Sequence, residues 1–220
     1  PLLSGFETKV RLKVGLSELL QQPAFAEKGS VLAGQAKVEL DFNGSVEYPV
    51  QLQAVITGLR SRSLPGTRQD YRLAAQLKKT SMGAYALGSN LQAGSINRPS
   101  TSLQLAGHVY PGLENSPFKF SLRSPRASLS DIDLLMAVLV ANDYVARGPT
   151  SIDLTSLATE SKAASPPWAD LDGEVSIKVD ELVFQSGQVI AGLEAQVKVS
   201  EALLSLKDIS AKFKGGGLTG

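Results

Sequence analysis

Strict alternation of apolar and polar side chains constrains this chain more than any other feature. A period of two sends successive residues to opposite faces of a sheet, a demand that no helix can meet. Within 6–14, Phe6, Thr8, Val10, Leu12 and Val14 share one face, while Glu7, Lys9, Arg11 and Lys13 form a charged face that must see water. The pattern resumes at Val31: Leu32, Gly34, Ala36, Val38, Leu40 and Phe42 lie on one side, opposed by Gln35, Lys37, Glu39 and Asp41. Asn43-Gly44 then predicts a tight hairpin turn with two positive-φ positions. Val46, Tyr48, Val50, Leu52, Ala54 and Ile56 predict the returning strand. Pro49 cannot donate to a ladder, so it is expected at an edge or a bulge.

Breaks in the alternation divide the rest of the chain. Leu16-Ser17-Glu18-Leu19-Leu20 reads as a short helical turn within 15–29, ended by Pro23. The arginines Arg60, Arg62 and Arg68, with Pro65-Gly66, make 60–70 a polar loop. Further strands are expected at 71–77, 84–95, 101–110 and 117–125, separated by Gly83, Asn97-Arg98-Pro99 and Pro111-Gly112. This regular spacing predicts antiparallel meanders, not βαβ units. One helix is expected at about 130–145, with Ser130 as N-cap and Asp131 and Asp133 in its first turn. Ile132, Leu134, Leu135, Met136, Val138, Leu139 and Val140 make it apolar on nearly all sides, so it should be buried as a plug or cap on the sheet. The Ser/Thr/Ala/Pro-rich stretch 148–167 is expected to be a linker or surface loop. Alternation then returns in Val175, Ile177 and Val179, slips in phase at Asp180-Glu181 as a bulge would require, and turns at Ser186-Gly187-Gln188. It continues through Leu193, Ala195, Val197 and Val199, turns at Ser200-Glu201, and resumes at Leu204 and Leu206. The expected fold class is therefore mainly β: a long antiparallel meander sheet, either curled as a groove or closed as a sandwich, with one buried helix, in a single β-rich domain over 1–220.

Composition narrows what such a sheet could do. The basic and acidic residues are nearly equal, 22 Lys plus Arg against 21 Asp plus Glu, and are interspersed, so no field concentrates nucleic acid. With no Cys, disulfides, thiolate metal sites and Cys nucleophiles are all excluded. A single His, His108, cannot build a His-based metal cluster, and within an alternating strand it reads as structural. Ser116-Pro117-Phe118-Lys119 matches Ser-x-x-Lys without companion motifs. The closing Gly215-Gly216-Gly217-Leu218-Thr219-Gly220 matches G-x-G-x-x-G, but it follows a strand and opens no helix, so it is read as backbone that bends or packs closely. Asn43-Gly44-Ser45 is a glycosylation sequon already accounted for by the turn. Asp131 and Asp133 lack the further oxygen ligands of a calcium loop. Neither an enzyme nor a cofactor-binding or metal-binding protein is expected. Pro1-Leu2-Leu3-Ser4-Gly5 has neither an initiator Met nor a signal-peptide pattern, and no apolar run spans a bilayer. The chain thus reads as a segment of a larger protein, with any export signal or anchor outside it.

The block from Leu171 onward carries a recognisable succession. Leu171-Asp172-Gly173 opens a strand, two alternating strands follow, Ala202 to Leu206 forms a G-x-L-x-L-like segment, and Gly215 to Gly220 closes the unit. Over 168–220 this resembles the C-terminal region of AsmA-like envelope proteins, with Ala202 where that family commonly has Gly. The resemblance implies a periplasmic protein anchored to the inner membrane of a Gram-negative-type bacterium. It also implies kinship with bridge-like lipid transfer proteins, whose long sheets form a trough with an apolar wall. Its expected role is to bind or conduct phospholipid, or another acyl-chain ligand, in support of outer-membrane lipid homeostasis. The groove residues expected from the first half of the chain are Val38, Leu40, Val50 and Leu52. Those from the second half are Val175, Ile177, Val179, Leu193, Val197 and Val199. The competing reading is an exported β-sandwich scaffold or adhesin-like module that binds protein or glycan on its polar faces.

Overall fold

The computed structural model describes residues 7–20, 31–43, 47–61, 64–80, 83–95, 97–110, 117–139, 172–200, 203–213 and 216–219. The first four strands are β1 (Glu7–Gly15), β2 (Val31–Asn43), β3 (Val50–Ser61) and β4 (Leu64–Lys79). They are followed by β5 (Tyr85–Ser95), β6 (Arg98–Val109) and β7 (Phe118–Ser128). The C-terminal part adds β8 (Gly173–Val183), β9 (Val189–Ser200), β10 (Leu203–Phe213) and β11 (Gly216–Thr219). All eleven form one sheet in sequence order, with β1 and β11 at its ends, not closed into a barrel. Helix α1 (Leu16–Leu20) follows β1, as the break in alternation predicted, and α2 (Leu129–Leu139) follows β7. At about 4.8 Å per strand, the sheet measures roughly 48 Å along its surface from edge to edge.

The ladders explain why the sequence adopts this arrangement. Directly opposed residues share a face, and the register pairs like with like: Leu12 with Val38, Leu40 with Leu52, Leu73 with Leu91, Leu105 with Leu122 and Val175 with Val197. On the other face, charge is matched across strands. Lys9 meets Asp41 at 3.1 Å, Arg11 meets Glu39 at 3.7 Å and Lys178 meets Glu194 at 2.7 Å. A slip of one residue would exchange these two faces, so the register is strongly fixed.

Several expectations need correction. The sheet is not antiparallel throughout, because β7 and β8 run parallel. Parallel neighbours need a long crossover, and α2 together with the chain up to 172 provides it. The expected linker 148–167 lies outside the described residues. The polar loop expected at 60–70 is mostly strand: Leu59 pairs with Gln69 and Ser61 with Leu64, after register shifts that let the ladder absorb Pro65-Gly66. Arg60 and Arg68 carry a loop signal but belong to the solvent face of strands whose other face is buried, while Arg62 lies outside the described residues. Asn43 is still within β2, pairing with Glu7 and donating its N–H to Pro49 O at 2.8 Å. The β2–β3 ladder closes at Phe42–Val50, so Asn43-Gly44 is not a two-residue hairpin. Pro49 is at neither an edge nor a bulge; it precedes an interior strand, where its missing N–H costs the ladder nothing. Arg98 and Pro99 lie in β6 and not in a turn, with a register shift at Ala93/Gly94 accommodating them. The ladders to β7 and β9 pass Asp180-Glu181 without a shift, so no bulge exists there. The glycine run folds back on β10 as a short edge strand, Phe213 pairing with Gly216.

The helix expected at about 130–145 begins at Leu129, and its described part ends at Leu139. Ser130 is inside it and is not its cap. The helix does cap the sheet. Leu134 is fully buried with Leu16, Ala36, Leu59, Tyr71 and Ala93, and Val14, Ile56, Leu91 and Leu135 pack around them. Both helices thus press on the apolar face at one end of the strands. Completely removing such aliphatic side chains from water stabilises by about 1.5–3 kcal/mol each, which ties five-residue α1 to a sheet it could not otherwise hold.

Candidate functional site

The candidate site is the apolar face between the helix-capped end and the opposite strand ends. Starting from Leu40, the register leads through Leu52, Ala75, Ser89, Leu105, Leu122 and Ile177 to Ala195, so one continuous row crosses β2 to β9. Val38, Leu40, Val50 and Leu52 share this face with Val175, Ile177, Val179, Leu193, Val197 and Val199. The two predicted groups are on one surface but form separate patches, with β4 to β7 between them. Most are half-buried, whereas Val179 and Val199 are buried, each 6% exposed.

Sequence reading had not assigned the intervening wall to the site. Leu73, Leu77, Leu87, Leu103, Phe120 and Leu122 fill it, and their own alternation was the available signal. Phe118 and Phe120 stack with centroids 5.4 Å apart. Their ladder partners are Gly173 and Gly107. A Cβ on Gly107 would meet Lys119 O and the Phe120 ring, and one on Gly173 would meet Phe118 O and its ring. The glycine of Leu171-Asp172-Gly173 is thus needed for close approach between β7 and β8, not for a turn.

At the capped end, polar chemistry serves to hold α2. The Asp131 carboxylate, 4% exposed, accepts hydrogen bonds from Gln69 Nε2 at 2.6 Å, Ser100 Oγ at 2.7 Å and Thr101 Oγ1 at 2.7 Å. Its backbone carbonyl accepts one from Tyr71 Oη at 2.7 Å. Thr101 Oγ1 in turn accepts the Ser128 N–H at 2.8 Å. Burial, reinforced by the Asp131 charge, raises the Tyr71 pKa far above the ordinary phenol range. Asp131 was expected in the first turn of the helix and lies there; it is also a buried anchor between β4, β6 and α2. Asp133 is exposed and accepts from Gln185 Nε2 at 3.4 Å; partial burial nevertheless raises its pKa, against the lowering effect of that bond.

Other candidates stay dispersed. His108 is exposed in β6 on the polar face, opposite Ala86 and Lys119. Ser116 lies outside the described residues. Among the described residues, no group of three or more His, Cys, Asp or Glu side chains is arranged to hold a metal ion. No described helix is long and apolar enough to cross a membrane.

The fold and this surface define a class: an open, one-sided β-sheet protein whose apolar face is covered, among the described residues, by helices at one end of the strands. No protein-family model matches the chain, and neither a curated protein nor a solved structure shows significant similarity to it.

Proposed function

We propose that this chain is a non-catalytic periplasmic segment of an AsmA-like envelope protein, and that its apolar sheet face binds or conducts phospholipid or another acyl-chain ligand. The observation that carries this reading is the continuous row from β2 to β9, apolar at every position except Ser89 and left half-exposed with no second sheet stacked on it among the described residues. Such a surface is costly in water, and covering it with acyl chains returns roughly 25 cal/mol per Å². The opposite face, patterned with cross-strand ion pairs, keeps the sheet hydrated and in register while the apolar side is occupied. The role involves no covalent step or cofactor. In the full protein, anchoring to the inner membrane would come from a segment outside these residues.

Native mass spectrometry of the purified chain tests the reading. Co-purifying phospholipid, lost or reduced in Ile177→Asp and Val197→Asp variants that retain native circular dichroism, supports it. A chain that is consistently lipid-free and takes up no fluorescent phospholipid overturns it.

A further inference from the structure

The helix-capped end has a second feature on the polar side of the sheet. An open cleft of about 500 Å³ lies between α1 and the ends of β2, β3 and β4, lined among others by Ser17, Glu18, Thr57, Gly58, Arg60 and Arg68. Arg60 and Arg68 both line the cleft, from β3 and β4, where the ladder shifts register on either side of the Leu59–Gln69 pair. Two guanidinium groups facing one cleft repel each other.

The rest of the polar face shows how unusual this pair is. Lys9, Arg11 and Lys178 each stand opposite a carboxylate. Where two cations do meet across a ladder, Lys13 with Lys37 and Arg123 with Lys178, one member is paired with a glutamate: Lys37 with Glu39 at 3.1 Å and Lys178 with Glu194 at 2.7 Å. Neither Arg60 nor Arg68 forms a salt bridge with any described residue. The nearby Asp70 carboxylate accepts the Gly58 N–H at 2.7 Å and forms no salt bridge with either arginine. Glu18, the one acid among the described residues lining the cleft, folds over Gly15, its Oε2 only 3.2 Å from where a Cβ would be.

The local backbone is shaped for the arginines. Register shifts interrupt β3 against β4 between Ile56 and Leu59, and Gly58 takes φ 63° within the gap. A Cβ there would come within 3.3 Å of Arg68 Nε and Nη2, so the glycine makes room for the guanidinium to lie across the strand. Bulges commonly re-aim side chains beside binding sites.

We infer that this cleft binds a phosphate-bearing anion, with Arg60 and Arg68 clamping its oxygens and the Ser17 and Thr57 hydroxyls completing the contact. Planar guanidinium forks match phosphate geometry in a way that a lysine does not. The site lies apart from the apolar wall and stands whether or not that wall holds lipid. The anion is either free phosphate or the headgroup phosphate of a lipid.

Titration calorimetry of the 220-residue chain with inorganic phosphate, and separately with dihexanoyl phosphatidylglycerol below its micelle concentration, tests the inference. Binding of at least one probe is expected, weakened about tenfold or more in R60Q/R68Q and falling with added salt. Binding of both probes identifies a site for phosphate in general; binding of the lipid alone, weakened in R60Q/R68Q, identifies a headgroup site. A parallel measurement needs no variant: amide resonances of Ser17, Thr57 and Gly58 should shift with the bound probe. Ile177→Asp should leave phosphate binding unchanged, which separates failure of this site from failure of the apolar wall. The inference is overturned if neither probe binds, if R60Q/R68Q binds as the native chain does, or if those amides do not respond.

Discussion

Two regions of this sheet carry the same alternation to opposite outcomes. Where α2 meets β3 to β5, Leu59, Ala93 and, on the helix itself, Leu134 are 0% exposed and Tyr71 only 2%. On β10, Leu203, Leu204 and Leu206 are 65%, 53% and 56% exposed, and Phe213 is 47% exposed. Leu204 and Leu206 continue the same face, opposite Val199 and Val197. What differs is the cover: α1 and α2 close one region, and none of the described elements lies over the other. Alternation therefore specifies which way a side chain points, while a covering element decides whether that direction is interior or surface.

Removing the anchor of the covered region should have the largest effect. Asp131→Ala strands the Gln69, Ser100 and Thr101 donors and is expected to cost about 3–5 kcal/mol by chemical denaturation, with Asp131→Asn costing less. If Asp131→Ala were neutral, α2 would owe its position to apolar contact alone. Leu134→Ala tests that second contribution and should cost about 2–5 kcal/mol. Gly173→Ala probes the β7–β8 junction between the two regions. It forces Phe118 and the backbone apart and should cost about 1–3 kcal/mol.

At the uncovered end, Leu206→Ser should change stability by less than about 1 kcal/mol, while reducing any lipid uptake measured by fluorescence. A larger loss of stability would mean that Leu206 is covered in solution, which would erase the contrast between the regions.

The smallest effects concern the polar face. The hydrogen bond and charge of Lys178 hold the Glu194 pKa below the ordinary carboxylate value. Glu194 therefore contributes stability above its unfolded pKa, and that contribution is lost as pH falls through the depressed folded value. Lys178→Ala should move the Glu194 titration, followed by carboxyl NMR, back upward while barely altering the melting temperature. Asp133 has the opposite sign. Its burial-raised pKa favours the folded state on the acid side and weakens it as pH rises through the folded value.

Much of this was legible in the sequence. The strands and the facing of their side chains follow from period-two patterning, and the ten predicted wall residues do share a face. The central wall was left out of the prediction because β4 to β7 mix Ser, Gly and Ala among their apolar positions, which dilutes the pattern locally. The strands at 60–70 were hidden for a related reason. Arginines and Pro65-Gly66 carry loop signals, and only the long-range pairing of Leu59 with Gln69 and the burial of Tyr71 outweigh them. Asp131 illustrates the same limit. Helix-start chemistry accounts for an acid in the first turn, but its donors are 30 to 62 residues away in the chain, beyond any local pattern.

By itself, the sequence determined a β protein with one apolar and one charged face, because side-chain direction along a strand is a local consequence of backbone geometry. Only the tertiary structure decided that the strands join one open sheet, that β7 and β8 meet in parallel, and that helices cover one end of the apolar face. Those outcomes depend on contacts between distant residues, whose free energy appears only once the chain has closed the intervening loops.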